Sequence, residues 1–346
     1  GMKLTELQYK SAFLLSSSAS CLTGSAGSGK TTALDWILYV AENEYGYSED
    51  DIALIAPSGM AAQRLSVCTG RKANTIHSRL RIMTEEYLWS YELKPDEDFG
   101  AKLVIIDEST MVSLGLLYNA LKKIPEDVKI LFCGDIEQLP AVESGKPFVD
   151  LINYLPYVRL SELKRAGANT GIAQNCSRMV NTRDELLEPS ADFKLISCDT
   201  SAVSRVLSSI VRYHLGLSDS CLVQTIGNQR LFDKNDIQII SPVTKEKYTW
   251  GTAVLNPILQ DIFNPVEKQA VLKYFNREPA EYRVGDRILN KRNLNGFNAY
   301  VWSDDTHTKL IRTTVNLCNG SIGYVKFIGL ADDLSFFKNA SDDALI

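Results

Sequence analysis

The sequence predicts an α/β fold built on a parallel sheet, and three observations carry that prediction. Four short apolar runs, Ser20 to Thr23, Ile52 to Ala56, Leu103 to Ile106 and Ile130 to Cys133, read as buried strands. Helix-compatible sequence separates them, the alternation that a parallel sheet requires. A glycine-rich turn, Gly24 to Thr31, joins the first run to a stretch with Leu34, Ile37, Leu38 and Ala41 at helical spacing.

The same logic applies further along the chain. From Tyr157 the pattern restarts, with helices expected over Gly171 to Val180 and Ala202 to Leu215 and a strand over Ile237 to Ser241. Another helix is expected from Thr252 to Phe263, ended by Asn264-Pro265. Beyond Tyr282 short β-like pieces follow: Asp286 to Leu289, a turn at Asn319-Gly320, and Gly323 to Ile328. They suggest a small β module.

Composition limits the function classes. The chain has 346 residues, of which 45% are apolar and 23% charged, as in ordinary globular proteins, and the length suits two or three domains. Lys plus Arg number 37 and Asp plus Glu 42, a net charge of -5, so any polyanion site must be local. Seven scattered cysteines without a CxxC pair argue against a disulfide framework or a zinc ribbon and fit a reducing, cytoplasmic setting. No apolar run is long enough for a transmembrane helix, and the run from Ala12 to Leu15 is too short for a signal peptide, so no membrane association is expected. Gly1 before Met2 reads as a tag remnant.

The chemistry begins at Gly24-Ser25-Ala26-Gly27-Ser28-Gly29-Lys30-Thr31, which satisfies GxxxxGK[ST]. Glycines let successive N–H groups converge on a phosphate, and the helix that follows presents its positive end. Lys30 adds a full charge toward the β and γ phosphates, Thr31 can place its hydroxyl on Mg2+, and Thr32 follows on the same helix turn. Asp107, delivered by the apolar run Leu103 to Ile106, is the candidate second metal ligand. Glu108 is placed to orient and deprotonate a water. Two solvated acids capping the next helix are the plainer alternative. The pattern calls for nucleotide hydrolysis or phosphoryl transfer, with ATP and GTP both open.

The order of motifs resembles the superfamily 1 helicases of the 5′ to 3′ subgroup, the RecD-like and Dda-like enzymes. Besides the P-loop, the resemblance rests on Leu4-Thr5-Glu6-Leu7-Gln8, Ala56-Pro57-Ser58-Gly59, Thr75-Ile76-His77-Ser78, Ile106-Asp107-Glu108-Ser109 and Gly134-Asp135-Ile136-Glu137-Gln138-Leu139-Pro140. It continues through Leu160 to Arg165, although Ala166 stands where the family places Gln, and through Tyr282 to Arg287 and Asn319 to Gly323. The resemblance implies a P-loop NTPase of RecA-like parallel-sheet domains: residues 1–158 as the ATP-binding domain with a pin-like insertion at 80–100, 159–281 as a partial second domain, 282–330 as an SH3-like β module, and 331–346 as an acidic tail. It also implies ATP and Mg2+ as ligands, Gln8 as an adenine-recognising residue, and Gln138 as a γ-phosphate sensor. Arg165 would be an arginine finger from the second domain, and Pro57, Ser58, Thr75 and His77 would contact a strand. His77 could equally be an ordinary loop histidine.

The implied activity is ATP-dependent unwinding of DNA or translocation along a single strand, with a single-stranded or junction DNA partner and other recombination or replication proteins. A nucleotide-gated binding module without turnover and an RNA-directed enzyme are the alternatives. Between residues 268 and 292, seven basic residues (Lys268, Lys273, Arg277, Arg283, Arg287, Lys291, Arg292) against Glu278, Glu281 and Asp286 could line a strand channel or form a solvated face. Tyr87, Trp89 and Tyr91 alternate as on a hairpin and could stack on bases or on one another. The family's last two motifs are absent, so either a truncated piece or a divergent protein with a reduced second domain is expected.

Overall fold

The computed structural model describes residues 4–25, 27–82, 99–161, 170–181, 187–226, 229–266, 271–274, 280–291, 294–302, 310–317, 319–326 and 328. Most of the pin-like segment, including Tyr87, Trp89 and Tyr91, and the acidic tail lie outside these residues. The chain divides into two units, residues 1–185 with 318–320, and residues 186–317 with 321–346.

The first unit is a six-stranded sheet of β1 (Ala19–Gly24), β2 (Ile52–Ala56), β3 (Ala73–Thr75), β4 (Leu103–Ile106), β5 (Lys129–Gly134) and β6 (Tyr157–Leu160). Their order is β3-β2-β4-β5-β1-β6, and every pairing is parallel. All four expected strands are present. The two edge strands, β3 and β6, are additional.

Helices α1 (Glu6–Lys10), α2 (Lys30–Asn43), α3 (Gly59–Thr69), α4 (Ile76–Leu80), α5 (Leu114–Lys123), α6 (Pro147–Tyr154) and α7 (Gly171–Asn181) complete the unit. Alternation along the strands gives the sheet two apolar faces. Leu22, Leu54, Leu103, Ile105 and Leu131 point to one face and pack with Leu34, Ile37 and Leu38 of α2. Ile55, Val104, Ile106 and Phe132 point to the other and pack with Leu117 of α5 and Phe148 of α6. Burial on both faces is why the central strands read as unbroken apolar runs.

The second unit holds α8 (Val203–His214) and α9 (Thr252–Phe263), close to the expected helices, which pack through Val211, Leu255, Leu259 and Ile262. Its described strands are β7 (Val271–Tyr274), β8 (Ala280–Arg283), β9 (Arg287–Leu289), β10 (Leu294–Trp302), β11 (Leu310–Leu317) and β12 (Ile322–Tyr324). They pair antiparallel as β7–β8, β9–β12 and β10–β11. The turn at Asn319-Gly320 is present, with Gly320 at φ 91°.

Two expectations fail here. Ile237 to Ser241 is not a strand: it has no ladder partner among the described residues, and Ile240 is 87% exposed. Arg283 cannot face a strand channel or solvent. It is 6% exposed, and its guanidinium lies 2.7 Å from Asp261, 2.8 Å from Glu281 and 2.9 Å from the Asn264 carbonyl. Beside it, buried Asp286 accepts hydrogen bonds from Gln260 Nε2 (2.6 Å), Asn264 Nδ2 (2.8 Å) and the Arg283 amide (2.7 Å). The charged motif is thus a buried joint between α9 and the β8–β9 segment, satisfied because an unpaired buried charge would be costly.

Candidate nucleotide-binding site

Parallel strands put all their following loops at one edge of the sheet, where ligands of open α/β folds bind. Gly24 ends β1, Thr75 ends β3, Ile106 ends β4 and Gly134 ends β5, so the sequence-distant motifs meet at that edge.

The phosphate loop starts at Gly24 for a steric reason. A Cβ there would stand 2.5 Å from Ser28 Oγ and 2.8 Å from the Leu160 carbonyl, closer than real contacts allow. Gly24→Ala is therefore expected to distort the loop, cost roughly 1–3 kcal/mol of stability and abolish binding of a fluorescent ATP analogue. Unchanged affinity and melting temperature would refute this account of the loop. Gly29, at φ 87°, then turns the chain into α2 in a conformation that a side chain would strain.

Lys30 opens α2 and folds back over the loop. Its Nζ donates to the carbonyls of Gly24 and Ser25, the latter at 3.4 Å, and lies 3.8 Å from Asp135 Oδ2. Thr31 and Thr32 follow on the first turn, half-buried. Ser28 is buried and its hydroxyl lacks a partner. Ala26 lies outside the described residues.

Gln8 is fully buried. Its Nε2 donates to the Gly29 carbonyl at 3.0 Å, and its Oε1 accepts from the Thr5 amide in a capping box. It is thereby fixed to the end of the phosphate loop.

Asp107 and Glu108 follow β4. Burial pushes the Asp107 carboxyl above the usual carboxylate range, against the opposing effects of a hydrogen bond from the Glu108 backbone and of the Lys30 and Arg64 charges. Burial and then the neighbouring Asp107 charge push Glu108 up as well. Glu108 is held at φ 50°, in the left-handed region, and its Oε2 is buried without a partner. Such backbone strain on a non-glycine residue costs of order 1–3 kcal/mol and is typical of functional positions.

Asp135 organises the third loop. Its carboxylate accepts from the Glu137 amide at 3.1 Å and from Gln138 Nε2 at 3.1 Å. Its backbone is clamped by Thr110, whose hydroxyl accepts from the Asp135 amide at 3.0 Å and donates to its carbonyl at 3.1 Å. Thr110→Val removes both bonds in a buried place, and a loss of about 1–3 kcal/mol is expected. An unmoved unfolding midpoint would show that the clamp carries no stability.

Pro57, Ser58, Thr75 and His77 sit at the carboxyl ends of β2 and β3. Ser58 caps α3 by accepting from the Ala61 amide at 3.2 Å, and Thr75 caps α4 by accepting from the Ser78 amide at 3.1 Å. His77 is half-buried, and burial lowers its pKa against the raising effect of Glu143. Arg165 lies outside the described residues.

Sequence reasoning passed over several participants. Ser25 Oγ donates to Glu137 Oε2 at 2.7 Å, and Arg159 donates to Glu137 Oε1 at 2.8 Å. Thr110 and the hub role of Asp135 were also unforeseen; only the GDxxQLP pattern signalled that region.

The donor set fits a magnesium ion shared with a phosphate. Asp107 and Thr31 offer hard oxygens, and the partnerless Ser28 and Glu108 oxygens mark a place built to receive polar groups. Among the described residues no cluster of three or more His, Cys, Asp or Glu offers a different metal site.

Residues 4–200 match a family model described as an AAA domain. The chain belongs to that family. Relatives of this AAA domain protein include the ATP-dependent RecD2 DNA helicase of Deinococcus radiodurans, 26% identical over 272 residues, covering 79% of this chain and 33% of the relative. The ATP-dependent DNA helicase dda of Enterobacteria phage T4 is 32% identical over 155 residues, covering 42% of this chain and 35% of the relative. With the motif order, these matches make it a RecD/Dda-like P-loop protein of superfamily 1. It spans about a third of the length of those relatives. A solved structure described as two Pif1 helicases coordinating at forked double-stranded DNA shares the fold, with a TM-score of 0.52 at 18% identity, covering 95% of this chain and 72% of that one. No described helix is long and apolar enough to cross a membrane.

Proposed function

We propose that this AAA domain protein binds and hydrolyses ATP and couples the reaction to movement along single-stranded DNA. One observation carries the reading: Lys30, the Asp107-Glu108 pair and the Asp135-Gln138 turn, scattered over more than a hundred residues, stand at one sheet edge, with Lys30 3.8 Å from Asp135.

The residues divide the work as follows. The amides of Gly27 to Thr31 and the Lys30 ammonium hold the phosphates. Gln8, tied to the end of that loop through the Gly29 carbonyl, is the adenine-recognising residue of this reading. Asp107 and Thr31 would hold magnesium, which when bound withdraws charge from the phosphate oxygens. Glu108, desolvated and free at Oε2, accepts the proton of the attacking water. Gln138 exchanges its bond to Asp135 for the terminal phosphate and so reports hydrolysis to the neighbouring loops. Pro57, Ser58, Thr75 and His77, after β2 and β3 at the same edge, contact the backbone of the nucleic-acid strand, and such contacts hold register without reading sequence.

In this reading part of a second lobe lies between α7 and residue 281, residues 282–330 supply a small β module, Arg165 from the segment after β6 acts as the finger, and Mg-ATP and single-stranded or junction DNA are the ligands. Phosphate release by the wild-type chain, measured over a range of oligonucleotide concentrations at low salt, tests it. Turnover should rise with single-stranded DNA. A rate indifferent to DNA would overturn the coupling, and no melting shift with Mg-ATP would overturn the site.

A further inference from the structure

The contacts of Glu137 are not explained by the roles given above. Its carboxylate is held at both oxygens: Oε2 accepts from Ser25 Oγ at 2.7 Å and Oε1 from Arg159 at 2.8 Å. Ser25 belongs to the phosphate loop, Glu137 to the turn after β5, and Arg159 to β6. Arg159 pairs in register with Thr23 of β1, one residue before the loop begins. A carboxylate is thus bonded to a residue of the cradle itself, where anionic phosphates must arrive. The only cation within ion-pairing distance of it among the described residues is Arg159.

The geometry fixes the sign of the effect. A negative charge at the rim of a phosphate site opposes every phosphate that enters, in proportion to the charge brought in. It also occupies the Ser25 hydroxyl, a donor that a phosphate oxygen could use. Arg159 offsets that charge, but its side chain is 52% exposed, so solvent weakens the compensation. Lys30 meanwhile is turned toward its own loop carbonyls and Asp135. To serve an incoming phosphate, Lys30 would have to leave these carbonyls and Ser25 would have to leave Glu137.

We propose that Glu137 and Arg159 form a latch on the phosphate loop, in which Glu137 lowers the affinity for nucleoside triphosphate and Arg159 moderates it by neutralising Glu137. Both are positioning residues. The inference rests on the ATP reading above and adds to it a device that sets affinity and speeds release. Because the opposing charge acts on the phosphates, the penalty is larger for a triphosphate than for a diphosphate.

The test is a double-mutant cycle on the full chain with Mg-ATP and Mg-ADP, reading Kd by a fluorescent analogue and kcat and KM by phosphate release. Glu137→Gln keeps the side-chain shape and removes the charge. It should tighten ATP binding on the order of tenfold, with a smaller gain for ADP. Arg159→Ala should weaken ATP binding, and that loss should vanish in the Glu137→Gln background, since Arg159 acts through Glu137. Ser25→Ala, which breaks the contact without altering charge, should leave the Glu137→Gln gain in place. Unchanged or weaker ATP binding by Glu137→Gln would overturn the latch, as would an Arg159→Ala loss that persists in the double variant. Melting temperatures check folding; the Arg159 side chain is exposed and that of Glu137 partly buried, and Arg159→Lys, which keeps the charge, should restore affinity if Arg159→Ala proves unstable. If the wild-type chain binds no Mg-ATP at all, the ATP reading falls with the latch, whereas normal wild-type binding with an inert Glu137→Gln sinks the latch alone.

Discussion

Lys30→Ala is expected to lower ATP turnover on the order of 10²- to 10³-fold, the loss typical of removing one preorganised donor from developing negative charge. The fold should survive. Among the described residues the Lys30 ammonium bonds carbonyls of its own loop and lies beside Asp135, so its removal opens no apolar cavity and leaves both sheet faces packed. Asp135 keeps Gln138, the Glu137 amide and Thr110 as partners. Phosphate release at saturating single-stranded DNA, with circular dichroism on the same sample, is the measurement. Turnover within twofold of wild type would mean that the phosphates do not sit on this loop.

Glu108→Gln should separate binding from chemistry. With the carboxylate gone, the attacking water loses its base, a contribution of about 10²- to 10⁴-fold. Nucleotide affinity should hold, because the loop and Asp107 are untouched. The same substitution should stabilise the empty protein at neutral pH. Burial raises the Glu108 pKa above 4.5, so the folded chain keeps this proton to higher pH than the unfolded chain does. Stability linked to this group is therefore present at low pH and is lost as pH rises from the ordinary carboxylate range through the raised folded value. Above that window the Glu108→Gln chain should melt higher than wild type, and below it the two curves should converge. A variant that melts lower at neutral pH, or that hydrolyses ATP at the wild-type rate, would remove Glu108 from both roles.

What the sequence disclosed followed burial. Leu103 to Ile106 is covered on both faces, so an unbroken apolar run marked it, and the same holds for Ile52 to Ala56. The edge strands carried no such mark. Ala73-Asn74-Thr75 is short and half-buried, and Tyr157 to Leu160 is largely exposed until its last residue. Ile237 to Ser241 shows the opposite failure, since β-branched residues favour extended backbone but cannot supply the neighbour that makes a strand. At the site, local motifs identified Lys30, Asp107 and Glu108. The contacts that assemble them join residues far apart, Ser25 with Glu137 across 112 positions and Thr110 with Asp135 across 25, and spacing alone carries no trace of such pairs. Arg283 misled for a related reason: a charge reads as exposed until its partners, here Asp261 and Glu281, are placed around it.

The Asp286 joint bears on how force would travel in the second unit. Gln260 reaches it from the last turn of α9, Asn264 from the residue that caps that helix, and the Arg283 amide from the end of β8. In the proposed motor this part would act as a lever whose pivot is welded: a push on the helix would be delivered to the strands without slack. Asp286→Ala would turn the weld into a hinge, so that work done at one end is dissipated before it reaches the other.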